Sequence, residues 1–411
     1  MKRKKSHQGR DLMFCSMLFY FLAFFLLALK DYSVEAFLLA FAVPSMILLG
    51  TKGLPKLFHA DRLLLSLTNF LCGLSVLVLF RLNKNAGLTQ AFHYLVGIVA
   101  MVIMTLFTMR YKGNRWLTTL IMLLSLLLLI APLAIGKEKY GAKNWINLFG
   151  FGFQPSELVK ILLLFSLAFC LFRHRVFLSI LYAGACLLLL MLQKDLGTGL
   201  LYFATTLILL YVTTGSKLLI GSGVFCGGTA CIVGYQMFSH VKKRVSIWID
   251  PWADPQGTGY QIVQGLIAIA NGGLFGVGLG VGNGYVIPFA QNDFIFPVIV
   301  NEFGMIFGCL ILVIYLGILL RGIAIANQSR NIFYALLAMG CVAFIGIQTF
   351  VIIGGNIKLI PLTGVNLPFI SSGGTSMVSA LCLIGILQGV FAQNAKQVEE
   401  DERIAVLEVT K

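Results

Sequence analysis

The feature that most constrains this chain is a succession of about twelve mainly apolar runs. They fall at 12–29, 36–50, 63–81, 91–109, 116–135, 158–172, 176–192, 199–213, 218–239, 298–320, 332–354 and 368–392. An α-helix needs roughly 20 such residues to cross a bilayer, and most of these runs are near that length. Within hydrocarbon every backbone N–H and C=O must find its partner inside the protein, so helices are the natural solution for runs of this kind. Of the 411 residues, 58% are hydrophobic and only 11% are charged. Soluble domains average about 25% charged residues, so this composition excludes a soluble enzyme. The fold expected is all-α: a polytopic membrane protein of about 12 transmembrane helices.

The first run follows Lys2, Arg3, Lys4 and Lys5, the charged start of a secretory signal. No small-residue cleavage site follows it and a second apolar run comes at once, so a retained first helix is expected. With the N-terminus in the cytoplasm, alternate loops collect basic residues such as Lys52, Lys56, Arg62, Arg110, Arg115, Arg173, Arg175, Lys217, Arg321 and Arg330. That asymmetry satisfies the positive-inside rule and leaves both termini, 1–11 and 396–411, cytoplasmic. It also accounts for the net charge of +15 without a nucleic-acid partner. The acidic residues of the C-terminal tail, Glu399 to Glu402, read as a solvated helix or a disordered end.

Three long polar stretches then fall on the outer side, at 136–157, 240–297 and 355–367, and function is to be sought there. The nine cysteines all lie in apolar runs without metal spacing, and they read as small buried hydrophobes. Asp293, in Gln291-Asn292-Asp293-Phe294-Ile295-Phe296, stands just before an apolar run. Partial desolvation at the membrane boundary would raise its pKa and suit it to general-base work. The competing reading is a cap for the following helix. The segment 257–284 is rich in glycine around one short apolar run, Ile262 to Ala270, a pattern that serves close packing before anything else.

In Gln154-Pro155-Ser156-Glu157-Leu158-Val159-Lys160 the proline begins a helix, and Glu157 and Lys160 share one face. They form a structural pair or, alternatively, Lys160 reaches a phosphate that Glu157 helps orient. Asp195, in Gln193-Lys194-Asp195-Leu196-Gly197, caps a helix or contacts substrate or an ion.

Taken together, the runs Gly141 to Trp145, Gln154 to Lys160, Gln193 to Gly199, the glycine-rich loop ending at Phe296, Glu302-Phe303-Gly304 and Leu359 to Ser376 resemble the SEDS family, the FtsW/RodA/SpoVE group. The resemblance spans residues 60–395. It implies a ten-helix core with a large extracytoplasmic loop, 240–297, so that 12–50 is an added N-terminal helix pair. It further implies a peptidoglycan glycosyltransferase of the bacterial plasma membrane, polymerising lipid II at the outer face for cell shape, division or sporulation. The partner implied is a class B penicillin-binding transpeptidase.

The family's essential Asp corresponds to Asp293, its Glu–Lys pair to Glu157 and Lys160, its loop Asp to Asp195, and its basic loop residues to Lys143 and Asn144. Lys143, Lys194, Arg244 and Glu302 complete the expected substrate-binding set. Arg244 and the lysines would offset the charge on a leaving pyrophosphate. No resident metal site is expected, although a divalent cation, Mg2+ or Mn2+, held by Asp195 or Glu157 would serve the same end. The chain departs from the family at Phe289 in place of Glu, at Gln291 and Asn292 in place of His and Thr, at Lys194 in place of Pro, at Asn301 in place of the first Glu of a Glu–Glu pair, and at Ser371 to Thr375 in place of a Ser-Tyr-Gly-Gly-Ser run. Two other roles compete: flipping of a lipid-linked sugar, which calls for inverted repeats with broken helices that the sequence does not display, and a non-catalytic scaffold for a penicillin-binding protein.

Overall fold

The computed structural model describes residues 2–111, 113–139, 142–148 and 151–409. Lys112, and Gly141 of the first motif, lie outside the described residues. Fourteen α-helices account for most of the chain. Each of the twelve expected runs corresponds to a helix: α1 (Lys2–Asp31), α2 (Val34–Leu48), α3 (Arg62–Leu82), α4 (Lys84–Arg110), α5 (Arg115–Ile135), α6 (Pro155–Phe172), α7 (Val176–Leu192), α8 (Leu196–Thr214), α9 (Lys217–Met237), α12 (Ile295–Asn327), α13 (Ile332–Asn356) and α14 (Gly374–Val409). Eleven of them are long and apolar enough to cross a membrane, and α7 is a shorter apolar helix. Two further helices, α10 (Ser239–Ile249) and α11 (Tyr260–Gly272), belong to the large loop.

The ends of these helices follow from local chemistry. Asp61, Asn83, Asn114, Asp195, Ser216 and Asn331 each accept a backbone N–H of the first turn that follows. Pro155 occupies the first turn of α6, where a missing N–H costs nothing.

Small residues bring the helices together, as lipid offers no hydrophobic drive between them. On α14, Gly385 and Gly389 lie against Met101, Thr105 and Thr108 of α4, and Thr105 Oγ1 donates to the carbonyl of Gly385 at 3.0 Å. Large side chains such as Leu18, Leu127, Phe225 and Val313 face outward, where a bilayer supplies the solvent. No residue of α9 is buried; it leans on α8 through Gly223 and Gly227, which abut Leu207 and Phe203. Five cysteines are buried as expected, whereas Cys15, Cys226, Cys231 and Cys309 lie on the outer surface of the bundle. Their helices are apolar on every side, so the sequence did not reveal which face points inward.

The last apolar run begins later than its hydropathy suggests. Residues 368–373 are loop, and α14 starts at Gly374 after Gly373 takes a φ of 153°. The stretch 136–157 also holds a small antiparallel sheet that an all-helical expectation omits. Its strands are β1 (Lys137–Lys139), β2 (Ala142–Leu148) and β3 (Phe151–Phe153), in the order β1-β2-β3. The acidic tail continues α14 and is tied back to neighbouring loops, Glu399 to His59 at 3.3 Å and Asp401 to Arg330. This end of the bundle is opposite the one where the three long polar stretches meet.

Candidate functional site

The second and third polar stretches are stitched to each other, and the first is tied to the turn between α7 and α8. Lys143 N donates to Gln193 O at 3.0 Å, Arg244 Nη1 to Thr363 O at 2.8 Å, Trp248 Nε1 to Lys358 O at 3.1 Å, and Ser372 N to Gln291 O at 2.8 Å. The segment 357–373 is therefore the hub. It turns sharply at Lys358, Gly364 and Phe369, all with positive φ.

Gly364 marks the centre of the site. A Cβ placed there would lie 3.3 Å from Arg244 Nη2 and 3.7 Å from Asp293 Oδ2, so carboxylate and guanidinium flank the same backbone turn. With a φ of 78°, this turn favours glycine, and a side chain there would press on the Arg244 guanidinium and touch the Asp293 carboxylate. Asp293 does not cap α12. The cap residue is Phe294, which offers no side-chain bond, and no described residue donates a hydrogen bond to the Asp293 carboxylate. Burial pushes its pKa up to about 6, with the positive charge of Arg244 acting the other way. The loop carrying it is held by Ser371, whose Oγ donates to Asn292 O at 2.6 Å and accepts from Leu367 N at 2.8 Å.

Asp195 adjoins this centre. It caps α8 through Thr198 N, and its Oδ2 also accepts from Asn144 Nδ2 at 2.8 Å and Gln154 Nε2 at 3.2 Å. Gly197, two residues on, abuts Thr363 and Val365 in the hub, and the Asp195 charge acts on Arg244. Lys194 is exposed. With Arg244 it helps hold the His240 imidazole below its ordinary pKa, after partial burial, so it belongs to the same charged rim. Lys143 instead points its ammonium at Leu133 O, 2.8 Å away, fixing the sheet to the end of α5.

Glu157 and Lys160 lie beneath the hub. Lys160 is 2% exposed and donates to Glu157 Oε2 at 2.8 Å and to Gln348 Oε1 at 3.2 Å. Ser379 Oγ donates to the same Glu157 oxygen at 2.5 Å, and Gln348 Nε2 passes the chain of bonds to Asn366 O at 2.7 Å. The pair thus underpins the hub, and its ammonium is committed to Glu157 and Gln348.

Glu302 sits elsewhere, buried in α12 and facing Arg81 at 3.5 Å. Here α12 is broken: Gly304 has φ 87° and ψ 170°. The carbonyls of Asn301 and Glu302 accept Val277 N and Gly278 N, while Met305 N and Ile306 N donate to Gly273 O and Leu274 O. The glycine-rich segment therefore packs into a helix break. A Cβ at Gly276 or Gly304 would come within 2.3 Å of a backbone carbonyl. This break is not visible in the sequence, because a glycine flanked by apolar residues looks like helix-packing glycine.

No group of three His, Cys, Asp or Glu side chains suited to a metal occurs among the described residues. Both carboxylates considered as cation ligands are already committed, Glu157 to Lys160 and Ser379, and Asp195 to Asn144, Gln154 and Thr198 N. These residues do not fit a resident cation.

A cavity of about 350 Å³ opens between α4 and the start of α14. Gln90, His93 and Ser372 line it, and Ser372 is the residue whose backbone holds Gln291. It thus backs onto the loop that bears Asp293.

Fold and site define a polytopic helical membrane protein with a loop-borne carboxylate and guanidinium at one end of the bundle. The chain belongs to the FtsW/RodA/SpoVE family of cell cycle proteins, whose model matches residues 62–396. Among its relatives, the peptidoglycan glycosyltransferase RodA of Mycobacterium tuberculosis is 35% identical over 367 residues, covering 80% of this chain and 77% of the relative. Stage V sporulation protein E of Bacillus subtilis is 34% identical, covering 72% and 84%. A crystal structure of the rod shape determining protein RodA of Thermus thermophilus aligns with a TM-score of 0.61 at 25% identity, covering 82% of this chain and 98% of that one. A chain from a structure describing coordination of polymerization and crosslinking by a peptidoglycan synthase complex aligns with a TM-score of 0.69 at 25% identity, with the same coverage. The protein is a multi-pass bacterial membrane protein. Its first helix pair, α1 and α2, precedes the region that the family model matches.

Proposed function

We propose that this chain is a peptidoglycan glycosyltransferase that polymerises lipid II at the outer face of the cytoplasmic membrane, working beside a class B penicillin-binding transpeptidase. The observation that carries the reading is the state of Asp293: a partly buried carboxylate, free of hydrogen-bond donors, next to Arg244 and with a pKa of about 6. A group titrating there is mostly ionised at neutral pH yet more basic than an ordinary Asp, which suits a general base.

Asp293 takes the proton of the acceptor sugar hydroxyl as its oxygen forms a bond to the donor's anomeric carbon. The bond from that carbon to the polyprenyl pyrophosphate breaks on the opposite face, so an α-linked donor gives a β-linked glycan. The proton then passes from Asp293 to water. This is the logic of inverting glycosyl chemistry, with pyrophosphate as a leaving group that needs no acid. Arg244 supplies positive charge as negative charge develops on the pyrophosphate. Any dependence on Mg2+ or Mn2+ is assigned to the pyrophosphate of the substrate. Lys194 lies on the charged rim, and Asp195, Glu157, Lys160 and Lys143 hold the surfaces that position the two reacting groups.

The test is lipid II polymerisation by the purified protein, with and without its transpeptidase, comparing wild type with Asp293→Asn. Polymer from wild type and none from a folded variant is the expected result. Equal polymer from both would remove Asp293 from the mechanism, and none from either would favour a scaffold.

A further inference from the structure

We infer that α1, the first helix of the N-terminal pair, is a brace for the catalytic end of the bundle, and that Lys30 is a positioning residue for the glycosyl transfer proposed above, on which this inference rests. Lys30, at the end of α1, donates to Gly280 O at 3.0 Å. Arg81, at the end of α3, donates to the same carbonyl at 2.7 Å. Gly280 N in turn donates to Glu302 Oε2 at 3.2 Å, and Glu302 Oε1 faces Arg81 Nε at 3.5 Å.

One cation from outside the family-matched region and one from inside it therefore converge on a single glycine of the loop. Gly280 has a φ of 77°, and a Cβ there would lie 3.2 Å from both Lys30 Nζ and Arg81 Nε. Each of these hydrogen bonds is charge-assisted, the stronger kind.

The glycine loop in turn determines where the first part of α12 lies. Breaking a helix at Gly304 leaves orphaned backbone groups, and the loop supplies their partners at Gly273, Leu274, Val277 and Gly278. The short arm of α12 between Asp293 and that break has no continuous helix to fix its direction. Its position depends on the loop, and the loop's far side depends on Lys30 and Arg81.

Below the clamp, α1 also packs on the break itself. The Phe19 ring stacks on Phe307 with centroids 6.1 Å apart and approaches Phe303 at 6.3 Å, and these two residues flank Gly304. Tyr20 OH donates to Phe70 O at 2.5 Å, locking α1 to α3. α1 thus touches both sides of the loop–helix junction.

Two substitutions of Lys30 test the brace in the full-length protein, in nanodiscs with its transpeptidase. Lys30→Met should lower kcat for lipid II polymerisation by about tenfold with KM nearly unchanged, because misplacing a base costs rate more than binding. It should also speed hydrogen exchange at the amides of Val277, Gly278 and Gly280. Lys30→Arg should restore both. Unchanged exchange and unchanged kcat in Lys30→Met would overturn the inference, as would a loss that Lys30→Arg fails to rescue. Should wild type make no polymer, the catalytic reading fails by itself, and the exchange rates still decide whether Lys30 braces the loop.

Discussion

Asp293 and the Glu157–Lys160 pair belong to the same end of the bundle and to the same network through the hub, yet their chemical states are opposite. Glu157 and Lys160 neutralise each other, and Ser379 and Gln348 take up further bonding positions. Asp293 has an opposing charge nearby but no donor, and burial raises its pKa to about 6. A buried ionised pair is tolerated when its hydrogen bonds are complete, while an incompletely bonded carboxylate costs stability. Such a cost persists where the group has a chemical task. The comparison teaches that a carboxylate's role at this site is read from its unmet bonding capacity, which its motif does not display.

The largest effect expected from breaking the contrast is on the open carboxylate. Asp293→Asn should reduce polymerisation by about 10²- to 10⁴-fold, the usual contribution of a general base. Its stability should not fall. In the fold the Asp293 pKa lies above that of the unfolded chain, so ionising it costs stability progressively from pH about 4 and in full above about 6. Thermal unfolding in detergent at neutral pH should therefore show an equal or higher midpoint for the variant.

The satisfied pair should respond the other way. Lys160→Met leaves Glu157 buried without its cation and should cost about 3–5 kcal/mol of stability, read by unfolding in mixed detergent. Adding Glu157→Gln should recover much of that loss. Full stability in Lys160→Met would mean that the pair does not underpin the hub.

A smaller effect sharpens the reading of Arg244. Its charge lowers the Asp293 pKa against the upward push of burial, so Arg244→Gln should move the acid limb of the pH–rate profile upward from about 6, by up to about one unit. A downward shift would contradict the assignment of Asp293 to that limb. The smallest change is expected at Lys194, which is exposed and on the rim: Lys194→Gln should alter polymerisation by no more than about threefold and stability by about 0.5 kcal/mol or less.

Much of this arrangement is legible without coordinates where it depends on neighbours in sequence. The alternation of charged loops and apolar runs located all twelve helices, most of their ends to within a turn or two, and Pro155 and Asp195 announced the helix starts they make. The Glu157–Lys160 spacing allowed their pairing, but not the identity of Gln348 and Ser379 as their companions, which come from helices far along the chain. Gly364 was visible only as part of a motif. Its place between Arg244 and Asp293 arises from three segments that meet in space.

The solvent, the helical class and the set of groups able to do chemistry are written in the chain, because burial in lipid and backbone hydrogen bonding act along contiguous residues. Which of those groups are spent on one another is set by the three-dimensional packing. Asp195 is consumed as a cap with two amide donors, Glu302 is held by Arg81 and Gly280, and Asp293 is left open beside Arg244. The physical reason is that a hydrogen bond or ion pair reaches about 3 Å, so its partner is chosen by the packing of distant helices and loops, a distance that residue spacing along the chain does not encode.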